Sequence, residues 1–325
     1  MSFRSFSMRK GLAVLAGLAA LAGLASCGGG GQVTPFEPTR ILAFGDELSV
    51  IEADGRKYTI NAFRITDTTT NPPTESTTEL DCTRSPIWIQ SVASVFGLVY
   101  DRCPGTATTT SGQVMAQVGH KVADLASQIA AVQGAALNDG DLALVMIGMN
   151  DILELYANYP TSSRDTLLAQ ARDRGEALGD RINALAQSGP AVVVLTVPDL
   201  GLTPFAQAQN SSTNDPGRSA LLSDLTAAFN NRMSVTLIND GRLIGLAYAD
   251  VESQNMYRFP SSFSLTNVAD AACVTTVTAP NCTTSTLVTG ATAAGYMWAH
   301  AWLPGPAVQA RLGTVAASRA RNNPF

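Results

Sequence analysis

Residues 40–49 read RILAFGDELS, and this stretch decides how the rest of the chain is interpreted. The apolar run 41–44 has the length of a short buried strand, and Gly45 with Asp46 ends it with a turn signal. A continuous apolar run is typical of a parallel strand that is covered on both faces. We therefore expect Asp46 and Glu47 at the carboxyl end of a central strand, where open α/β sheets place their active sites.

Strand-like and helix-like segments alternate along the remaining chain. The pattern predicts further strands at 98–100, 141–148, 191–197 and 244–249, and helices at 85–96, 114–132, 164–186, 218–235 and 306–321. A hairpin is expected at 51–61, and the Thr- and Pro-rich segment 66–79 is interpreted as a loop. This alternation predicts an α/β domain with a central parallel sheet covered on both faces, a three-layer flavodoxin-like sandwich.

Composition excludes some classes of protein. The chain has 325 residues, of which 46% are hydrophobic and 14% charged, which is typical of a folded globular protein rather than a disordered one. The 21 Lys and Arg residues against 26 Asp and Glu residues give a net charge of -5. Nucleic acid is therefore not expected as a partner, because its binding needs a surplus of positive charge.

The N-terminus has the pattern of an export signal. Basic residues at 4, 9 and 10 precede an apolar segment, 11–24, that is too short for a comfortable membrane span. The segment 24–27, Leu-Ala-Ser-Cys, resembles a bacterial lipobox, which implies cleavage before Cys27 and lipid on that residue. The alternative is an ordinary signal peptide with a chance cysteine.

The N-terminal pattern also predicts the domain organisation and the location. Residues 1–26 are a lipoprotein signal peptide, 27–39 a Gly-rich flexible tether, and 40–325 one α/β domain. Without residues 1–26, which hold three basic and no acidic residues, the formal charge becomes -8. We expect the protein to be attached to a membrane of the bacterial envelope through lipid on Cys27. The residue after it, Gly28, is not the aspartate that retains many lipoproteins in the inner membrane, so the resemblance favours the outer membrane.

Four further cysteines are predicted to form two disulfides, because an exported chain meets an oxidising compartment. Proximity favours the pairs Cys82–Cys103 and Cys273–Cys282, each closing a Thr-rich loop. Four cysteines allow three pairings, and a zinc site is a further alternative.

The stretch 40–49 resembles the first signature block of the GDSL (SGNH) esterases and lipases, in which Gly-Asp-Ser-Leu carries the nucleophilic serine. Glu47 stands at the serine position of this chain. The resemblance extends in element order over residues 40–325, and it implies the family's fold, carboxylic ester hydrolysis as the family chemistry, and no cofactor.

A second block, Gly148-Met149-Asn150-Asp151, resembles the family's Gly-X-Asn-Asp motif. The resemblance implies that the Asn150 side chain donates to an oxyanion. The alternative is that Asn150 and Asp151 only cap the next helix. The family also has a glycine whose backbone N–H completes the oxyanion hole, and Gly112 is the candidate for it.

The family's third block is Asp-X-X-His before the last helix, and here it is changed. Matching Trp298 and Pro304 to the family places His300 at the aspartate position and Leu303 at the histidine position. A looser alignment makes His300 the base, but Met297 then stands where the acidic residue belongs.

Two other residues carry side chains that the family chemistry uses. His120 is interpreted as a surface residue of the predicted helix 114–132, and Ser49 as a helix residue that is turned from the strand end. Neither residue is therefore expected to complete a triad.

These substitutions predict a protein of the esterase fold without the ordinary triad, either a pseudoenzyme or a ligand-binding protein for an acyl ester or glycan. Glu47 is expected to accept the donors of the oxyanion hole, or to pair with His300 across the cleft. Three alternatives remain open: a solvated acid at a decayed site, an active esterase that uses Glu47 as base and Asn150 as donor, and an envelope scaffold without a ligand.

Overall fold

The computed structural model describes residues 35–325, and residues 36–325 form one compact unit. Nine strands occur in this part of the chain: β1 Arg40–Gly45, β2 Phe63–Asp67, β3 Thr74–Leu80, β4 Gly112–Val114, β5 Asp141–Met146, β6 Ala191–Leu195, β7 Ile244–Ala247, β8 Asn267–Ala271 and β9 Tyr296–Trp298. The α-helices are α1 Trp88–Val95, α2 Leu125–Ala130, α3 Met149–Ala157, α4 Arg164–Gln187, α5 Pro204–Ser212, α6 Arg218–Thr236, α7 Ala249–Arg258 and α8 Pro306–Asn322.

Five parallel strands form the central sheet, in the order β4-β1-β5-β6-β7. Apart from Arg40, β1 is wholly buried, as its continuous apolar run predicts. The order reverses at β1, because β4 lies on one side of it and β5 on the other, which is the flavodoxin-like topology. The carboxyl ends of β1 and β5 therefore open the crevice in which α/β proteins of this kind bind ligands.

Helices cover both faces of the sheet. Helices α1 and α8 pack against each other on one face, while α4 and α6 pack together on the other. Helix α4 begins after Ser163, whose hydroxyl accepts from the N–H of Thr166 and so caps the first turn. The predicted three-layer α/β sandwich with a central parallel sheet is therefore confirmed.

The predicted strand 98–100 was wrong, and the predicted helix 114–132 was correct only in part. The segment 98–100 makes only one bridge, between Tyr100 and Gly112, and β4 is the strand beside β1. The predicted helix 114–132 is mostly a loop, since Gly119 has a left-handed φ of +75° that ends any helix there, and only α2 is α-helical. Of its apolar residues, Val122 lies in the 3-10 helix Val122–Asp124, Leu125 and Ile129 lie in α2, and Val118 is exposed in the loop before them.

Segments outside the main sheet carry the remaining strands. In place of the expected hairpin 51–61 there is one antiparallel bridge, between Ile51 and Lys57. The expected loop 66–79 contributes instead to the antiparallel ribbon β2–β3. Threonine has a high β propensity, and the ion pair between Arg64 and Glu79 crosses this ribbon. Parallel strands β8 and β9 lie before α8.

Both expected disulfides are present. The Cys82–Cys103 bond has an S–S distance of 2.06 Å, and Cys273 is bonded to Cys282. Sequence proximity therefore predicted the pairing correctly.

The predicted signal peptide 1–26, the predicted lipid site Cys27 and residues 27–34 of the predicted tether lie outside the described residues. Among residues 35–325, no helix combines the length and the apolar character that a membrane crossing requires.

Candidate functional site

Glu47 lies directly beyond the carboxyl end of β1. The chain leaves Gly45 and turns through a short 3-10 helix, Glu47–Ser49, in which the Asp46 carboxylate accepts from the N–H of Leu48 at 3.2 Å. A Cβ on Gly45 would lie 2.1 Å from the carbonyl oxygen of Met146, so only glycine allows β1 and β5 to approach so closely at this turn. Glu47 is 9% exposed and faces the end of the sheet.

Both oxygens of the Glu47 carboxylate are held by hydrogen bonds. Its Oε1 accepts from the backbone N–H of Gly119 at 3.1 Å, and its Oε2 accepts from Asn150 Nδ2 at 2.8 Å. A backbone N–H and an asparagine amide that converge on one position form an oxyanion hole in acyl-transfer enzymes. Here the carboxylate of Glu47 fills that position, as the sequence interpretation expected when it placed Glu47 as the acceptor of these donors.

Asn150 has no hydrogen left for another ligand. It lies in the first turn of α3, and its amide donates to the carbonyl oxygen of His120 at 3.1 Å as well as to Glu47. An amide NH2 group has two hydrogens, so these two acceptors use both.

Gly148 precedes the helix with a φ of +131°, and a Cβ there would lie 2.5 Å from the ring of Phe229.

The glycine that completes this arrangement is Gly119, and the expectation for Gly112 was wrong. Gly112 lies inside β4, where its N–H donates to the carbonyl oxygen of Val99 at 2.9 Å. The Gly112 N–H is therefore already bonded to the backbone and does not donate to an oxyanion. Gly119 lies five residues beyond the end of β4 and has a left-handed φ. The sequence signal that could have identified it was a glycine, a turn former, inside the segment predicted as a helix.

His120 and Gln128 are parts of the site that sequence reasoning missed. The buried side chain of Gln128 accepts from the N–H of Gly45 at 2.8 Å and donates to the Gly45 oxygen at 2.8 Å. Its amide also contacts His120 Nδ1 at 2.9 Å. The amide is the donor in that contact, so Nδ1 accepts and the ring proton lies on Nε2. His120 thus belongs to the loop next to Glu47 instead of to an exposed helix face.

Two buried carboxyl groups link the elements that form the site. Asp46 is 1% exposed, and besides capping its own turn it accepts from the N–H of Met149 at 3.3 Å. Burial, followed by the nearby charge of Glu47, raises the pKa of Asp46 well above its usual value. Burial also raises the pKa of Asp151, which accepts from the N–H of Val122 at 2.9 Å. These contacts assign both residues to positioning β1, α3 and the Gly119 loop.

His300 is not brought to Glu47, so the expected pairing of these two residues was wrong. One ring nitrogen of His300 and the sulfur atoms of Cys273 and Cys282 all lie within 4.8 Å of one another. Among residues 35–325, His300 forms no ion pair and no side-chain hydrogen bond. The turn after β9 directs its side chain to the disulfide.

Leu303 closes that turn. Its carbonyl oxygen accepts from the N–H groups of Ala299 at 2.8 Å and of His300 at 3.3 Å, and its side chain is buried. Neither residue at the aligned third-block positions therefore supplies a base to the end of β1.

Ser49 is not a substitute nucleophile. It is fully buried, and its Oγ accepts from the indole N–H of Trp88 at 3.1 Å. In residues 35–325 the end of β1 consequently has no serine hydroxyl that is hydrogen-bonded to a histidine, which acyl transfer by the serine mechanism requires.

The comparison with known proteins agrees with the fold and with the first two sequence blocks. The model of the GDSL-like lipase/acylhydrolase family matches residues 41–264, more than half of the chain. The matched range contains Glu47, Gly119 and Asn150, and it ends before His300. No curated protein matches the chain.

Proposed function

The chain belongs to the GDSL-like lipase/acylhydrolase family, and from that premise we propose that it is a lipid-anchored pseudoenzyme of the bacterial envelope. One observation carries the proposal. The Glu47 carboxylate occupies the position at which the Gly119 N–H and the Asn150 amide converge. A tetrahedral intermediate needs those same donors for its oxyanion, and a resident carboxylate satisfies them in its place.

The missing triad supports the same proposal. The serine position holds Glu47, Ser49 is buried against Trp88, and His300 lies beside a disulfide. Removal of a single triad member already abolishes most of the acceleration of a serine hydrolase. This chain combines that loss with a filled oxyanion hole.

The rival function is ester hydrolysis in which Glu47 activates a water molecule and Asn150 polarises the ester carbonyl. It requires a free hydrogen on the Asn150 amide, yet both hydrogens are bonded, to Glu47 and to the carbonyl oxygen of His120. The rival reaction would have to break the hydrogen bond from Asn150 to Glu47, which positions Glu47, the residue that would act as base. The hydrogen bonding thus favours a protein without catalysis.

Hydrolysis of short p-nitrophenyl esters by the purified chain tests the proposal. We expect the same background rate from the unchanged chain, from Glu47→Gln and from Glu47→Ala. The glutamine side chain retains one acceptor oxygen but no negative charge, whereas the alanine side chain retains neither. Comparing the two variants therefore separates the effect of occupying the donors from the effect of the charge. Turnover by the unchanged chain that Glu47→Ala abolishes would establish the rival mechanism. Turnover that both variants retain would place catalysis at another site, and it too would refute a pseudoenzyme.

The envelope location is proposed from the sequence of the N-terminus. A basic segment, a short apolar segment and the lipobox-like Leu-Ala-Ser-Cys at 24–27 support export and lipid attachment at Cys27. Glycine at position 28 supports the outer membrane as the destination. The two disulfides agree with an oxidising compartment.

A further inference from the structure

Three potential metal ligands meet at one point outside the cleft. The sulfur atoms of Cys273 and Cys282 and one ring nitrogen of His300 lie within 4.8 Å of one another. No other group of three Cys, His, Asp or Glu residues in the described chain meets this distance. The other disulfide, Cys82–Cys103, has no third ligand group of this kind near it among residues 35–325, although both disulfides close loops of the same domain.

The imidazole of His300 also has one nitrogen whose hydrogen-bonding need is unmet. Its Nε2 is buried and has no hydrogen-bond partner among residues 35–325. Buried polar atoms without partners are rare in folded proteins, and each requires a specific explanation, such as an ion or a redox role.

The two cysteines are positioned by backbone contacts that do not depend on the disulfide. The N–H of Cys273 donates to the carbonyl oxygen of Ala299 at 3.0 Å, directly beside His300. The carbonyl oxygen of Cys282 accepts from the backbone N–H of Asn61 at 2.9 Å and from its side-chain amide at 3.2 Å. These bonds would keep both thiols near the imidazole after the S–S bond opens.

We propose that reduction of the Cys273–Cys282 disulfide creates a zinc site formed by the two thiolates and the imidazole of His300. A dithiol reductant supplies two electrons and two protons to the S–S bond and is itself oxidised to a disulfide. Zinc then displaces the two thiol protons and binds both sulfurs. Ligand atoms around tetrahedral zinc are about 3.5–3.8 Å apart, as bond lengths of about 2.0–2.3 Å require. The sulfurs separate by about 2 Å to reach this geometry, and water takes the fourth position.

The site would make this part of the fold responsive to both thiol reduction and zinc. Because thiolate ligands must lose protons, zinc affinity increases with pH. The short loop between the cysteines, with a sequence separation of 9, keeps the two sulfurs close in either state. The intact disulfide excludes zinc, since its sulfurs are not thiolates.

The test uses the full chain without a polyhistidine tag, reduced with a phosphine and then freed of reductant under anaerobic conditions. Cobalt(II) reports thiolate ligation through its charge-transfer absorption, and competition with a chromophoric chelator measures the zinc affinity. We expect the band only after reduction. We expect His300→Ala to weaken zinc binding by more than about 10-fold, since loss of an outer-shell partner of a ligand already costs about 10- to 100-fold. His120→Ala is the matched histidine control, and Cys82→Ser with Cys103→Ser is the matched cysteine control. Both controls should retain the affinity of the unchanged chain.

Three results would overturn the proposal. The first is the absence of a thiolate–cobalt band after reduction, and the second is equal zinc affinity in His300→Ala and the unchanged chain. The third is loss of the near-ultraviolet circular dichroism on reduction in the Cys82→Ser, Cys103→Ser background, because an unfolded chain would bind zinc without this geometry. Retained circular dichroism with zinc binding that depends on His300 supports it.

Discussion

The side-chain amide of Asn150 donates to the carboxylate of Glu47 at 2.8 Å, although the two residues are 103 positions apart in the chain. The bond joins the carboxyl end of β1 to the first turn of α3. It also removes the donor that would stabilise an oxyanion in an active relative of the fold. One contact therefore joins two elements of the cleft and occupies the amide that an oxyanion would need.

The first prediction concerns the stability that Glu47 provides. Glu47→Ala leaves the Gly119 N–H and the Asn150 amide without their acceptor. Hydrogen bonds to charged groups contribute about 1.5–3 kcal/mol each, and water will replace part of this, so we expect a loss of about 1–3 kcal/mol in urea unfolding. The control Glu37→Ala, at an exposed position, should remain within about 0.5 kcal/mol of the unchanged chain. Equal losses in both variants would contradict the role of Glu47.

The second prediction is that Glu47→Ser alone does not produce an efficient esterase. The new hydroxyl would have no base, because His120 Nδ1 is bonded to Gln128 and His300 lies beside the Cys273–Cys282 disulfide. We expect p-nitrophenyl ester hydrolysis within about 10-fold of background, since a serine without its histidine loses most of the triad's acceleration. An increase of roughly 100-fold or more that is lost on adding His120→Ala would show that this ring reorients and acts as the base.

The third prediction tests lipid attachment at Cys27. The thiol is the proposed acylation site, so Cys27→Ser should accumulate as an unprocessed precursor that partitions into the aqueous phase of a detergent separation. Ser26→Ala, at the neighbouring position, should mature normally. Labelling with a radioactive fatty acid measures the modification directly. Lipid incorporation by the Cys27→Ser chain would refute the lipobox assignment.

The fourth prediction concerns the buried ammonium of Lys57, which donates to the carbonyl oxygens of Cys82 at 2.8 Å, Arg84 at 2.7 Å and Ser85 at 3.0 Å. Burial lowers the pKa of Lys57 from 10.5 to about 7. Between these two values the unfolded chain binds a proton that the folded chain lacks. The free energy of unfolding should therefore rise with pH over this window, by up to about 1.4 kcal/mol per unit.

Lys57→Met should remove that contribution to the slope, whereas Lys121→Met, at a partly exposed ion pair with Glu154, should retain it. Urea unfolding of the three proteins at several pH values between those two pKa values measures the difference. Parallel curves for the unchanged chain and Lys57→Met would show that Lys57 keeps an ordinary pKa in the folded protein.

The fifth prediction concerns Gly148, the residue before α3. Alanine there meets both the φ of +131° and a contact of 2.5 Å with the ring of Phe229. Backbone strain and overpacking together predict a loss of about 2–4 kcal/mol. Gly290→Ala is the matched control, because its φ is +83° and nothing lies within 4 Å of the added Cβ. It should lose about 1 kcal/mol. Thermal unfolding of both variants separates the cost of the contact with Phe229 from the cost of the positive φ. Equal losses would show that the Phe229 contact relaxes without cost.

The sequence by itself determined the elements whose signals are local. The apolar run 41–44, the glycine turn after it and the helices at 164–186, 218–235 and 306–321 were predicted from periodicity, and the parallel sheet followed from their alternation. The disulfide pairs were predicted from proximity, since a short loop between two cysteines keeps them close. Amphipathic spacing was correct only for the second part of 114–132, because Gly119 adopts a left-handed φ and the helical turns begin after it.

Only the tertiary structure decided which side chains meet. Gly119 is 72 residues from Glu47 in the chain, and Gln128 is 83 residues from Gly45. His300 faces a disulfide because the N–H of Cys273 pairs with Ala299, a contact between segments that no sequence motif relates. Hydrogen bonds depend on distances of about 3 Å and on direction. Such geometry arises when separate elements pack against one another, whereas a local sequence pattern specifies only the elements themselves.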